Sequence, residues 1–141
     1  MKKEDKDLLL KDLCARLPYG VICNVDTFGI YKLQDIGINY ATLQSIDDKK
    51  KVCTTDTEFI HAYLRLMSSM TEEERNKATS LFGHNKCINE YGDVHCYNNG
   101  ESVVDLCDTN SYYDWLNQHH FDYRGLIEKG LALKAPEGMY N

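Results

Sequence analysis

The apolar residues change period once, at Leu17-Pro18-Tyr19-Gly20, and this switch constrains the fold more than any other feature of the chain. Ahead of it, Leu10, Leu13, Cys14 and Leu17 recur at helical spacing, which gathers them on one face and leaves Lys6, Asp7, Lys11 and Asp12 solvated. Pro18 and then Gly20 end that helix, placing it within residues 1–20. From Val21 onward the period is two. Segments around 21–25, 30–36, 40–46 and 51–55 hold β-branched or aromatic residues, separated by Asp26-Thr27-Phe28-Gly29, Gly37-Ile38-Asn39 and Asp47-Asp48-Lys49-Lys50. Short strands with tight connections predict a four-stranded antiparallel meander or small SH3-like barrel over 21–64, with the first helix covering one opening. The expected class is α+β.

Beyond these strands, Phe59, Ile60, Tyr63, Leu64 and Met67 read as an apolar turn or short helix. A helix is expected within 65–83: Thr71 with Glu74 forms a capping box, and Glu72-Glu73-Glu74 complements the positive end of the helix dipole. Adjacent carboxylates point around a helix rather than converging, so capping explains the triplet better than a metal site does. In 84–107, Cys87-Ile88-Asn89-Glu90 and Val94-His95-Cys96-Tyr97 flank Tyr91-Gly92-Asp93 and read as a β-hairpin. A tetrahedral zinc site can be drawn from His84, Cys87, His95 and Cys96, with Cys107 as a spare ligand. The spacing fits none of the usual ligand pairs, and the neighbours His95 and Cys96 face opposite sides of a strand. A surface hairpin with incidental cysteines is the simpler reading, and no cofactor is expected.

A chain of 141 residues suits one domain. With 16 basic against 22 acidic residues and a net charge of −6, its field repels nucleic acid, and none is expected as a partner. The lysine run 49–51 is expected at a solvated hairpin tip. The charged N-terminus offers no apolar run suited to a secretory leader or a membrane span, so the expected location is cytoplasmic. In that reducing compartment the six cysteines are expected as free thiols, with Cys14 and Cys23 as small core residues.

The densest chemistry lies in 108–141, expected as two short helices. Behind Asn110 or Ser111 as a cap, Tyr112, Trp115, Leu116 and His119 recur at helical spacing. Asp122 can cap a second helix of Tyr123 to Lys129, with Gly130 left-handed past its end and Leu126, Ile127 and Leu131 facing a core. The corner between them gathers Tyr113, Trp115, His119, His120, Tyr123 and Arg124. As a site, this is a pocket for a planar anionic ligand, with Arg124 as a fork for phosphate or carboxylate and Trp115 or Tyr123 as a stacking surface. As packing, the aromatics are core, one histidine caps the first helix, and Arg124 pairs with Asp122 or Asp114. Buried aromatics are commoner in cores than in ligand cages, which favours packing.

The pattern Trp115-Leu116-Asn117-x-His119-His120-Phe121-Asp122-Tyr123-Arg124-Gly125-Leu126-Ile127-x-x-Gly130-Leu131-Ala132, followed by Ala135-Pro136-Glu137-Gly138-Met139-Tyr140, resembles a family of short uncharacterised proteins encoded by anaerobic gut bacteria and their phages. Residues 11–21 and 63–74 look like two further signatures of that family. The resemblance implies a cytoplasmic protein carried by a mobile element and supplies no catalytic residue. The segment 83–107 lies outside the signatures.

Catalysis finds little support. Cys96 or Cys107 could act as a nucleophile only if the fold brings it to His119 or His120. Glycine-rich phosphate loops, a serine elbow and a His-Glu-x-x-His pair are absent from the sequence. The expectation is a non-enzymatic binding protein of a phage or mobile element with an anti-defence role. It would inhibit a host protein through an apolar surface or sequester a small, anionic, nucleotide-like host signal at the 112–124 corner. A pocket of that kind suits a subunit interface, which allows for a homo-oligomer. The alternatives are a histidine-based enzyme acting on a phosphorylated ligand and a zinc-stabilised protein-interaction module.

Overall fold

The computed structural model describes residues 1–81 and 111–140 in full and, between them, the backbone of 86–88, 94–98, 101–104 and 109–110. In chain order the described elements are α1 Lys3–Arg16, β1 Ile22–Val25, β2 Gly29–Ile36, β3 Tyr40–Ser45, β4 Val52–Asp56, β5 Ile60–Leu64, α2 Glu72–Thr79, β6 Lys86–Ile88, β7 Val94–Asn98, β8 Glu101–Val104, α3 Thr109–Gln118 and β9 Ala132–Lys134.

The four-stranded SH3-like barrel does not form. Instead the chain builds a mixed six-stranded sheet in the order β4-β3-β2-β1-β5-β9, within an α+β architecture. β1 to β4 are joined as successive antiparallel hairpins, but β5 pairs antiparallel with β1 on its other side and β9 adds parallel to β5. β5 escaped the sequence reading because Ile60, Tyr63, Leu64 and Met67 also fit helical spacing; in the structure Ile60, Ala62 and Leu64 are buried and alternate with half-buried His61 and Tyr63. β9 is three residues long and takes its place only through contact with β5, so no local pattern announces it.

One face of this sheet makes the main core. Val21, Cys23, Val25, Leu33, Ala41, Leu43, Ile60 and Leu64 point inward and meet Leu9 and Leu13 of α1 together with Leu126, Leu131 and Ala132 from the far end of the chain. Fully burying a leucine such as Leu13 contributes about 1.5–3 kcal/mol, so the docking of α1 rests largely on this pair. A register shift between Leu33 and Asp35 leaves Gln34 as an extra residue, and Ile36 thereby returns to the core side.

The buried face of α1 is Leu9, Asp12, Leu13 and Arg16, which corrects the stripe expected from Leu10, Leu13, Cys14 and Leu17. Cys14 is exposed, while Cys23 is buried as expected. Asp12, expected in solvent beside Lys11, is buried instead. It goes inside because Arg16, one turn later, and Arg124, from the far end of the chain, both supply the opposite charge.

The capping box of α2 forms, with Glu74 N–H donating to Thr71 Oγ1 at 3.1 Å and Thr71 N–H donating to Glu74 Oε1 at 3.1 Å. The helix is shorter than the 65–83 segment, since Arg65 is held in a parallel bridge with Phe121 and residues 67–69 make a single 3₁₀ turn. The expected hairpin is a three-stranded antiparallel sheet, β6-β7-β8, in which Glu101–Val104 is the added strand. The second C-terminal helix does not form. Gly125 sits at φ 72 in the left-handed region and breaks it, leaving a turn at 126–130 that leads into β9. A second buried cluster, Met70, Ala78, Tyr112, Trp115, Leu116 and Phe121, joins α2 to α3. Among the described residues no helix is long and apolar enough to cross a membrane.

Candidate functional site

α3 is closed by a paired-bond cap: Phe121 N–H donates to Leu116 O at 2.9 Å and His120 N–H to Asn117 O at 3.1 Å. This motif places one residue in the left-handed region, usually glycine, and here it is His120 at φ 62. His120 is 6% exposed, its ring stacks on Tyr140 at 3.8 Å between centroids, and its Nδ1 is buried without a hydrogen-bond partner among the described residues. Burial, and then the nearby charge of Arg16, push its pKa down to about 4, so the ring is neutral at pH 7. The same cap recurs at 126–131, where Leu131 N–H donates to Leu126 O at 2.9 Å, Gly130 N–H donates to Ile127 O at 3.1 Å, and Gly130 takes the left-handed position at φ 71. Asp122 starts that turn, each carboxylate oxygen accepting one backbone N–H, from Leu126 and Ile127, at 2.9 Å.

Arg124, expected as the fork for an anionic ligand, is already bound. Its Nη1 donates to Asp12 Oδ1 at 2.7 Å, and its guanidinium lies 4.5 Å from the Tyr123 ring centroid. The other oxygen of Asp12 accepts from Arg16 Nε at 2.8 Å. Arg16 Nη2 in turn donates to Phe121 O at 2.7 Å, while its Nη1 is buried without a partner among the described residues. One carboxylate therefore holds two guanidinium groups between α1 and the C-terminal run, and all three side chains are mostly or wholly out of solvent.

The expected stacking residues mostly stack on one another. Trp115 lies against His119 at 4.2 Å and Phe121 at 5.8 Å, and the Nδ1 of His119 is 2.9 Å from Trp115 O. Tyr123 donates its hydroxyl to Asn117 Oδ1 at 3.1 Å and packs on Tyr113 at 5.0 Å. Tyr113, at 40% exposed, is the member of the set that solvent reaches most easily; with Tyr123, Leu66, Met67 and Ile127 it lines a shallow cleft of about 450 Å³. Asp122 and Glu128 line the same cleft, and their charge is the wrong sign for an anion.

Sequence reasoning missed Asp12, Arg16, Arg65 and Tyr140. Arg65 and Glu74 share two bonds of 2.7 Å, which hold the Glu74 carboxyl down at about 2. The Arg65 guanidinium lies 4.2 Å from the Phe121 ring centroid. A cleft of about 660 Å³ opens between Arg65, Ser69 and Thr71 on one side and residues 134–140 on the other. Only the Asp12–Arg16 spacing left a trace in the sequence, as an opposite-charge pair one helical turn apart.

For nucleophilic or metal chemistry the described residues offer little. Burial pushes the Cys23 thiol up to about 12, which keeps it protonated and unreactive. Among the described residues no three His, Cys, Asp or Glu side chains converge as metal ligands. The side chains of His84, Cys87, His95, Cys96 and Cys107 lie outside the described residues; the backbone register sets Cys87 opposite His95 and Lys86 opposite Cys96.

Among the described residues, the face of the six-stranded sheet opposite the core carries exposed apolar side chains on β2, β3, β4 and β9. Ile30, Tyr40, Val52 and Leu133 stand on it at 37%, 50%, 61% and 37% exposed, and Phe28 and Ile46 add exposed apolar surface at the adjoining turns. Compared with models of known protein families, with curated proteins and with solved structures, the chain matches none.

Proposed function

We propose that this chain is a non-enzymatic binding protein that docks on another protein through the face of its six-stranded sheet opposite the core. The family resemblance makes a bacterial host protein the expected target and inhibition the expected effect. The observation that carries this reading is the Arg124–Asp12 pair. The guanidinium required for sequestering a small anionic ligand is drawn inward onto a buried carboxylate that it shares with Arg16, and the aromatics beside it pack on each other. What remains available is a broad surface on which exposed apolar side chains are interspersed with Lys32, Thr42 and Gln44, the mixed composition of a protein-docking face.

The test compares wild type with the double variant Ile30→Glu/Tyr40→Glu in capture of protein from a bacterial host lysate, after circular dichroism has established that both are folded. Loss of the captured protein in the variant supports the reading. A nucleotide-sized mass retained by wild type in native mass spectrometry and lost in Arg124→Ala would overturn it in favour of sequestration.

A further inference from the structure

β4 ends the six-stranded sheet, and only one side of its backbone is used by β3. Ser45 N–H donates to Lys51 O at 2.9 Å, and the ladder continues through Gln44↔Val52, Leu43↔Cys53, Thr42↔Thr54, Ala41↔Thr55 and Tyr40↔Asp56. Bonded and non-bonded pairs alternate along an antiparallel ladder. The Ser45/Lys51 bond therefore makes Leu43/Cys53 and Ala41/Thr55 the bonded pairs, and it turns the N–H and C=O groups of Val52, Thr54 and Asp56 away from β3. The strand reads Val-Cys-Thr-Thr-Asp, rich in β-branched residues and free of proline.

The two ends of this edge carry opposite charge: Lys49, Lys50 and Lys51 precede it, and Asp56 finishes it, while Glu58 in the turn that follows is paired with Lys6 at 3.1 Å. Lysines beside an edge ordinarily discourage pairing. Here an antiparallel approach brings them toward Asp56 of the other copy, so the edge complements itself.

We propose that the β4 edge is a homodimer interface, at which β4 strands of two copies pair antiparallel about a two-fold axis through Thr54 and join two sheets into one. Side chains must keep their faces, so paired residues must share parity. Centring on Thr54 meets this condition: Thr54 opposes Thr54, Val52 opposes Asp56, and every outward-facing backbone group of the strand is used. Centring on Cys53 meets it too, but sets Asp56 against Lys50, whose N–H is already donated to Asp48 Oδ1 at 3.0 Å. The Thr54 register also brings Lys50 of each copy diagonally beside Asp56 of the other. The net charge of −6 on each copy opposes association at long range, so a strand of this length gives a dimer that depends on concentration.

Sedimentation equilibrium of the full chain tests this. The apparent mass should rise from 16.3 kDa toward twice that value with concentration. Thr54→Pro removes an outward N–H that β3 does not use, and should hold the protein at 16.3 kDa with its circular dichroism unchanged. Asp56→Lys, an exposed change that keeps the backbone intact, should weaken dimerisation by about tenfold through like charge diagonal to Lys50 of the other copy. In a Cys14→Ser/Cys53→Ser background, Thr54→Cys should form a covalent dimer on oxidation that the background alone does not form. A monomer at every concentration up to about 100 μM, or a dimer that neither Thr54→Pro nor Asp56→Lys weakens, would overturn the proposal.

Discussion

Arg124 donates to Asp12 at 2.7 Å across 112 positions of the chain, which ties the C-terminal run to the first helix. Because Asp12 also holds Arg16, its carboxylate is, among the described residues, the one neutralising partner of two guanidinium groups, one of them fully buried. Asp12→Asn keeps the shape of the side chain and removes its charge. The expected cost is about 3–5 kcal/mol, read as a lower urea midpoint with an unchanged slope, because it strands a buried cation. Asp12→Leu/Arg16→Met, which removes both members of the buried pair, should recover a substantial part of that loss. If Asp12→Asn costs no more than a surface substitution, the pair is not what holds α1 to the C-terminal run.

His120 occupies a backbone position that favours glycine, and it does so while packed on Tyr140. Replacing it separates the two effects. His120→Ala loses the ring and keeps the left-handed strain; His120→Gly loses the same ring and relieves it. The glycine variant should therefore be the more stable of the two by about 1 kcal/mol in denaturant unfolding. Equal stability would mean that the cap relaxes around alanine.

Stability should fall with acid in two separable windows. His120 has its pKa lowered from 6.5 to about 4, so the unfolded chain takes up that proton first. Its contribution is complete above pH 6.5 and is lost as pH falls through 4. Glu74, lowered from 4.5 to about 2 by Arg65, contributes fully above pH 4.5 and loses its contribution as pH falls through 2. His120→Asn tolerates the left-handed backbone and does not titrate, so its stability should stay nearly flat between pH 6.5 and 4.5 while wild type declines. A parallel decline in both proteins would assign the upper window to another group.

Where the sequence was legible, a local cause was sufficient. Thr71 and Glu74 meet within one turn, Gly130 needs only its own backbone freedom, and the strands up to β4 carry a period of two along one face. Where it misled, the deciding partner was distant. Asp12 looks like a surface residue until Arg124 arrives, β9 has no pattern apart from β5, and His119 and Trp115 read equally well as ligand cage or core until their stacking partners are placed. The helix expected at 123–129 failed for a local reason that was visible: Gly125 stands inside it, and the chain uses its left-handed freedom there rather than at the end alone.

Tyr140 shows how a residue near the end of the described chain completes a ladder far from it. The β1–β5 register runs through Asn24↔His61 and Cys23↔Ala62, and its next step would set Ile22 opposite Tyr63 as a bonded pair. The two strands meet there through a side chain instead. Ile22 N–H donates to the Tyr140 hydroxyl at 3.0 Å, and that hydroxyl donates to Tyr63 O at 2.7 Å. Tyr140→Phe keeps the ring over His120 and removes the relay, leaving one donor and one acceptor to find water or each other. The expected loss is about 1–3 kcal/mol, with faster hydrogen exchange at the Ile22 amide than at Asn24. If the Ile22 amide keeps its protection in Tyr140→Phe, β1 and β5 close directly on each other, and the hydroxyl is a spacer that the ladder can do without.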